Sequence, residues 1–380
     1  MPIDRIQLAV LGAFVFLAGC DSVGGNIVTG EGISNPNPVV TNQWGELPAG
    51  RNWGHTAGID IDPTDGNIWA YERCAAAGGG GGAGGGGAAG GPVNCDTNPV
   101  DPIFKFDRNT GEVLTNFGAG IFTTPHGIHA DHEGNVWVTD FATNASGTKG
   151  QQVHKFSPDG ELLMSLGVAG QVGNDSAHFN GPTDVIVAAD GSIFVSDGHG
   201  GQGMTTVAAI EEGRQAGQTG RIMKFAADGT FIKEWGQIGT AHGEFRTPHG
   251  IEIDSQNRLW VADRGNHRLE IFDLDGNYLE SRYSYSRVSG IFITDDDLVY
   301  AIDSESGPFN NINWISGVRV GPLNEDRLIG FIPGYPTETR GYQSTAGEGV
   351  AVDAEGTVFV AEGPSSIPIA KGSFSKYSAD

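Results

Sequence analysis

The sequence predicts an all-β fold, a six-bladed β-propeller of four-stranded antiparallel blades around a central channel, and three observations predict it. One unit of apolar alternation, acidic turn and aromatic strand recurs six times between residues 58 and 360. Its apolar residues alternate with period two between Gly- and Asp-rich turns, the pattern of strands and not of helices. Gly is 61 of 380 residues and charged residues are only 18%, which suits many tight turns between short strands.

The copies run in order along the chain. Gly58-Ile59-Asp60-Ile61-Asp62 leads to Asn67-Ile68-Trp69, and Gly127-Ile128-His129-Ala130-Asp131 leads to Asn135-Val136-Trp137-Val138. Asp184-Val185-Ile186-Val187 leads to Ser192-Ile193-Phe194-Val195, and Gly250-Ile251-Glu252-Ile253-Asp254 to Arg258-Leu259-Trp260-Val261. Gly290-Ile291-Phe292-Ile293 leads to Leu298-Val299-Tyr300, and Gly349-Val350-Ala351-Val352-Asp353 to Thr357-Val358-Phe359-Val360. Third and fourth strands follow, as in Ile222-Met223-Lys224-Phe225, the turn Asp228-Gly229, and Phe231-Ile232-Lys233-Glu234-Trp235. The last copy is short of one outer strand, and Val39 to Trp44 is expected to supply it and close the ring. Residues 39–380 are thus one domain. Asp140, Asp197, Asp263 and Asp303 each end a second strand, where repeated acids cap turns.

A net charge of −24 repels phosphate backbones and excludes nucleic acid as the partner. Arg5 precedes an apolar run from Leu8 to Phe16, too short to span a bilayer, followed by Leu17-Ala18-Gly19-Cys20. This resembles the bacterial lipobox: residues 1–19 are expected to be a signal peptide, and Cys20 the acylated first mature residue. The chain is then exported, lipid-anchored in the bacterial cell envelope and facing the periplasm or the outside, with 20–38 as a flexible tether. In that oxidising compartment Cys74 and Cys95 are expected to form a disulfide at the base of a Gly-rich loop, 75–94.

The copies differ where chemistry is expected. The residue before each first strand is Ala57, His126, Thr183, His249, Ser289 and Glu348. Inner strands start beside the channel, so these six ring the axis, and alternate blades carry His126, His249 and Glu348. Two imidazoles and a carboxylate suit zinc with an open position for substrate; iron or manganese would also fit. A second ring follows the strand-ending acids: Arg73, Arg264 and His199. The arginines would bind a carboxylate or a developing oxyanion, unless they are solvated loop tips. His199 is placed as a base near neutral pH. His129, His132, His154, His178 and His242 lack such repeat-based support and read as surface residues.

The repeat resembles the NHL family. Thr124-Pro125-His126-Gly127-Ile128, Asn180-Gly181-Pro182-Thr183-Asp184-Val185, Val195-Ser196-Asp197-Gly198, Thr247-Pro248-His249-Gly250 and Val261-Ala262-Asp263-Arg264 together resemble the peptidyl-α-hydroxyglycine α-amidating lyases, over about residues 50–375. The resemblance implies zinc on His126 and His249, catalytic arginines at Arg73 and Arg264, and a structural calcium touching the Ile128 carbonyl. Where the animal enzymes carry a third zinc-binding His and a calcium-binding Asp, this chain has Glu348-Gly349; where they carry a catalytic Tyr it has His199. Glu348 would weaken the Lewis acidity of a bound cation, and Gly349 offers calcium no carboxylate. The implied activity is cleavage of the C–N bond of an α-hydroxyglycine-type carbinolamide, a small-molecule or peptide-derived substrate with a carboxylate, to an amide and an α-oxo acid. Metal-dependent hydrolysis of a lactone or ester on the same scaffold is the alternative, as is a non-catalytic envelope propeller that binds a ligand or protein.

Overall fold

The computed structural model describes residues 25–51, 53–74, 94–307, 310–334, 347–362 and 374–379. The expected signal segment, Cys20 and residues 75–93 of the Gly-rich loop lie outside the described residues.

Among the described residues, twenty-four strands form six four-stranded antiparallel sheets. β1 (Val39–Trp44) comes first in the chain and belongs to the last blade. Blade 1 is β2 (Ile59–Ile61), β3 (Ile68–Tyr71), β4 (Ile103–Phe106) and β5 (Val113–Phe117). Blade 2 is β6 (Pro125–Ala130), β7 (Val136–Asp140), β8 (Gln152–Phe156) and β9 (Leu162–Leu166). Blade 3 is β10 (Pro182–Val187), β11 (Ile193–Asp197), β12 (Arg221–Phe225) and β13 (Phe231–Trp235). Blade 4 is β14 (Pro248–Ile253), β15 (Arg258–Asp263), β16 (Arg268–Asp273) and β17 (Tyr278–Arg282). Blade 5 is β18 (Val288–Ile293), β19 (Leu298–Asp303), β20 (Gly317–Pro322) and β21 (Gly330–Pro333). Blade 6 is β22 (Gly349–Val352), β23 (Val358–Ala361) and β24 (Phe374–Ser378), and β1 completes it, pairing from Val39↔Ser378 to Trp44↔Phe374. The segment expected to close the ring therefore does so.

Each blade is covered on both faces by its neighbours, so second strands such as β7 and β11 are buried throughout. Trp137 and Val153 of blade 2 pack on Val185 and Val195 of blade 3, while Ile186 and Phe194 pack on Ile251 and Leu259 of blade 4. Three first hairpins share one lock. The indole N–H of Trp69 donates to Asp62 at 2.9 Å, that of Trp137 to Asp131 at 2.9 Å and that of Trp260 to Asp254 at 2.7 Å. The repeat needs both residues, since either alone would bury an unsatisfied polar group.

The acids ending second strands are structural, and they position the site. Asp140 accepts from the backbone N–H of Thr123 and Thr124, Asp197 from Asn180 and Asp263 from Arg246. Arg221 and Arg268 start third strands and pair with Asp197 and Asp263, each at 2.9 Å. Every clamp fixes the segment entering an inner strand. The inner strands then meet so closely that a Cβ at Gly127 would lie 2.6 Å from the Thr183 carbonyl, and one at Gly250 equally close to that of Ser289.

Residues 25–38 depart from the expected tether. Phe331 N donates to Ser34 O, Ile315 N to Val28 O and the Asn37 amide to Gly356 O, so this stretch lies along blades 5 and 6. Its Gly, Asn and Pro content signals lack of a core of its own, but its backbone groups find partners on the propeller. His154, read as a surface residue, is buried against Phe122 and bonded to Ser165. Residues 198–220 hold a 3-10 helix, His199–Gly203, and α1 (Val207–Gln215), capped by the Thr206 side chain accepting from Ala209 N.

Candidate metal centre on the channel axis

The six ring residues line one central cavity. His126 and His249 enter it from blades 2 and 4, each held by the next blade. The His126 Nδ1 is 2.8 Å from the Thr183 carbonyl, and the His249 Nδ1 is 2.8 Å from that of Ser289. A carbonyl only accepts, so each Nδ1 carries the proton and each Nε2 keeps its lone pair. The Nε2 of His249 is buried with no partner among the described residues. A buried imidazole nitrogen with a free lone pair is the donor a divalent cation takes.

The third imidazole is His199. One ligand atom each of His126, His199 and His249 lie within 4.8 Å of one another, and their ring centroids are 4.7 to 5.8 Å apart. Glu348, expected as the third ligand, is not in this group; its Oε1 lies 3.5 Å from Arg264 Nη1. The reason is local. Glu348 has a guanidinium beside it, whereas the 3-10 helix after β11 turns His199 over the channel, with its ring against Phe141 at 4.9 Å.

The three histidines are held neutral. Burial pushes His126 and His249 well below the usual imidazole value, and nearby guanidinium groups add to the shift. Burial and then Arg264 bring His199 down to about 3. A base that weak contributes little near neutrality, but a neutral imidazole is a ready metal ligand. The donor set therefore fits a divalent cation such as zinc, with three nitrogens and space for a further ligand.

Both expected arginines lie beside the ring residues, Arg264 next to Glu348 and Arg73 at the turn before His126. Arg73 Nε donates to the Pro125 carbonyl at 2.8 Å, and its guanidinium lies 5.6 Å from the Phe141 ring centroid. Arg264 is 1% exposed; its Nη2 donates to Gln202 Oε1 at 2.5 Å and lies 3.4 Å from His199 Nε2. Arg73 Nη2 and Arg264 Nε are buried donors with no partner among the described residues. Burial raises Glu348 above the usual carboxylate range, despite Arg264. Burial also acts on Glu305, but Arg264 and Arg287 outweigh it and hold that carboxyl at about 2.

Ile128 sits on β6, paired with Val138, and lines the channel beyond His126. Side chains at that depth are Asp60, whose Oδ2 accepts from His129 and Ala130 N, together with Asp184 and Glu252. Burial pushes Asp184 up to about 7 and Glu252 well above its ordinary value.

Gln202, Glu305, Arg287 and Phe141 were not anticipated. Glu305 had a signal, because it follows Asp303 by two residues as His199 follows Asp197. The Cys74–Cys95 disulfide is formed, with Cα atoms 4.9 Å apart, at the edge of the Arg73 segment.

Comparison with known proteins bears on the repeat, the relatives and the fold. The NHL repeat family model matches residues 245–272, which hold β14, β15 and most of β16. A peptidyl-glycine alpha-amidating monooxygenase of Xenopus laevis is 31% identical over 283 residues, covering 72% of this chain and 28% of its own length. A probable peptidyl-alpha-hydroxyglycine alpha-amidating lyase of Caenorhabditis elegans is 37% identical over 168 residues, 42% of this chain and 40% of its own. The chain thus spans about a quarter to two fifths of these relatives. Among solved structures, a gluconolactonase of Xanthomonas campestris superposes with a TM-score of 0.51 at 14% identity, covering 90% of this chain and 89% of that one. A streptogramin B lyase gives 0.50 at 14% identity, covering 90% and 98%. At that identity the likeness is one of fold.

Proposed function

Because the chain is a homologue of the peptidyl-α-hydroxyglycine α-amidating lyases on an NHL-repeat propeller, we propose that it is a metal-dependent lyase for carbinolamides that carry a carboxylate. The observation that carries this reading is the convergence of His126, His199 and His249 within 4.8 Å, with the buried Arg264 and the half-buried Arg73 nearby. The three imidazoles would hold a divalent cation, most simply zinc. Such a cation supplies Lewis acidity toward the substrate hydroxyl, lowering its pKa.

The chain's own groups do the rest. Arg73 and Arg264 would grip the carboxylate through their unpaired donors and orient the N–C–OH carbon over the histidines. Glu348, raised by burial, is the carboxylate suited to accept the hydroxyl proton. As the C–O bond becomes C=O, the C–N bond breaks and its electron pair goes to the amide nitrogen. Glu348 returns the proton to that nitrogen. An amide and an α-oxo acid leave, and atoms and charge balance. Calcium at Ile128 remains a second, separate proposal, supported by the Asp60 and Asp184 carboxylates nearby.

The test is turnover of an N-acyl-α-hydroxyglycine, read as released α-oxo acid. Arg264→Ala is expected to lower kcat/KM by more than about 100-fold with metal content unchanged. Unaltered turnover in that variant contradicts the role given to Arg264. Lactone hydrolysis is the second reading, favoured by Glu348: a buried carboxylate can equally serve as the base that activates water. A lactone in the same assay separates the two, and failure of both substrates leaves the ligand-binding reading.

Export and a lipid anchor on Cys20 belong to the same proposal. Export is supported by the Cys74–Cys95 disulfide, which suits an oxidising compartment, and the anchor by the Leu17-Ala18-Gly19-Cys20 sequence alone.

A further inference from the structure

Arg264 does not hold its own position. Its guanidinium is reached from two directions by groups that do not line the central cavity. From the 3-10 helix of blade 3, Gln202 accepts from Arg264 Nη2 with Oε1 at 2.5 Å and donates with Nε2 to Glu305 Oε2 at 3.0 Å. From blade 5, Arg287 donates to Glu305 Oε2 with Nε at 3.0 Å and Nη2 at 2.6 Å, and with Nη1 to the Arg264 carbonyl at 3.2 Å. Glu305 Oε1 itself lies 3.9 Å from Arg264 Nη1.

The polarity of this chain is fixed. The Gln202 amide has its oxygen toward a cation and its nitrogen toward an anion, so the opposite flip would set like against like at both ends. Arg287 and Arg264 are nearly fully buried and both positive, and they need the Glu305 charge between them. Removing that charge leaves two guanidinium groups facing each other and the Gln202 amide free to turn. An arginine that grips a carboxylate through a planar fork loses that grip when its orientation is lost.

We propose that Glu305 is a positioning residue, which through Gln202 and Arg287 fixes the Arg264 guanidinium for recognition of a small carboxylate. This rests on the carboxylate-binding role given above to Arg264. It makes the loops after β11 and β19 part of substrate selection, although neither Glu305 nor Gln202 would touch substrate.

The probe is glycolate, which carries hydroxyl and carboxylate on adjacent atoms as the substrate does, with glycolamide as the uncharged control. Binding to the zinc-loaded full chain is measured by calorimetry for wild type, Arg264→Ala, Glu305→Gln, Glu305→Asp and Gln202→Glu. Glu305→Gln is expected to weaken glycolate about 10- to 100-fold while leaving glycolamide and zinc content unchanged. Glu305→Asp should recover part of the loss, and Gln202→Glu should weaken glycolate by setting a second carboxylate against Glu305. Glycolate binding to Glu305→Gln within about twofold of wild type, with Arg264→Ala impaired, overturns the positioning role and leaves Arg264 in place. No glycolate binding by wild type overturns the carboxylate site itself and this role with it. Zinc loss in Glu305→Gln likewise overturns it, because the residue would then support the histidines.

Discussion

Glu348 and His199 both neighbour Arg264, and their environments separate their roles. His199 is neutral and pressed among two imidazoles and Phe141, while Glu348 is a carboxylate with Arg264 as its neighbour. Replacing Glu348 by Gln keeps shape and removes only the proton acceptor. On zinc-loaded protein, kcat is expected to fall about 100- to 10,000-fold with zinc content near that of wild type. Equal kcat in the two proteins would remove Glu348 from proton transfer. Register along the repeat located every ring residue, including both Pro-His turns. It did not show which third group meets the histidines, because that depends on how the 198–220 segment folds over the channel. The direction of a side chain on an inserted loop leaves no periodic trace in the sequence.

Strands were legible because period-two patterning and turn residues repeat with the blade, and the Trp–Asp hairpin locks repeat with them. The short helix Val207–Gln215 was not, since most of its residues face solvent and give no apolar face. His154 shows an element's burial acting on stability. Its folded-state pKa is lowered by burial to about 4, below the usual imidazole value near 6.5. The folded chain therefore binds fewer protons than the unfolded one between those values. Stability is fully present above pH 6.5 and is lost as pH falls toward 4. At pH 4.5 His154 should cost about 2–3 kcal/mol relative to pH 7.5, as an upper estimate. In denaturant melts, His154→Gln is expected to lose less stability than wild type over that interval. Parallel pH profiles of the two proteins would contradict the assignment.

The ring is closed by the pairing of its first strand with its last. β1 gives the last blade its outer strand, with Trp44 packed edge-on against Phe359 at 4.9 Å, and the exposed pair Arg108–Glu355 joins blade 1 to blade 6. An exposed ion pair contributes little, about 0.2–1 kcal/mol, so the strand carries the closure. A chain starting after Trp44 would bare the edge of β24, and it should melt lower and self-associate by size-exclusion chromatography. A monomer with unchanged melting would show that closure does not need β1. The closed ring also brings His126, His199 and His249, from blades 2, 3 and 4, to one point on the channel axis. Zinc content per chain, measured after loading and dialysis for wild type, His199→Ala and Glu348→Ala, tests that convergence most directly. About one zinc in wild type and in Glu348→Ala, with most of it lost in His199→Ala, is the expected result. Zinc retained by His199→Ala and lost from Glu348→Ala, or no zinc in wild type, would contradict a three-histidine centre.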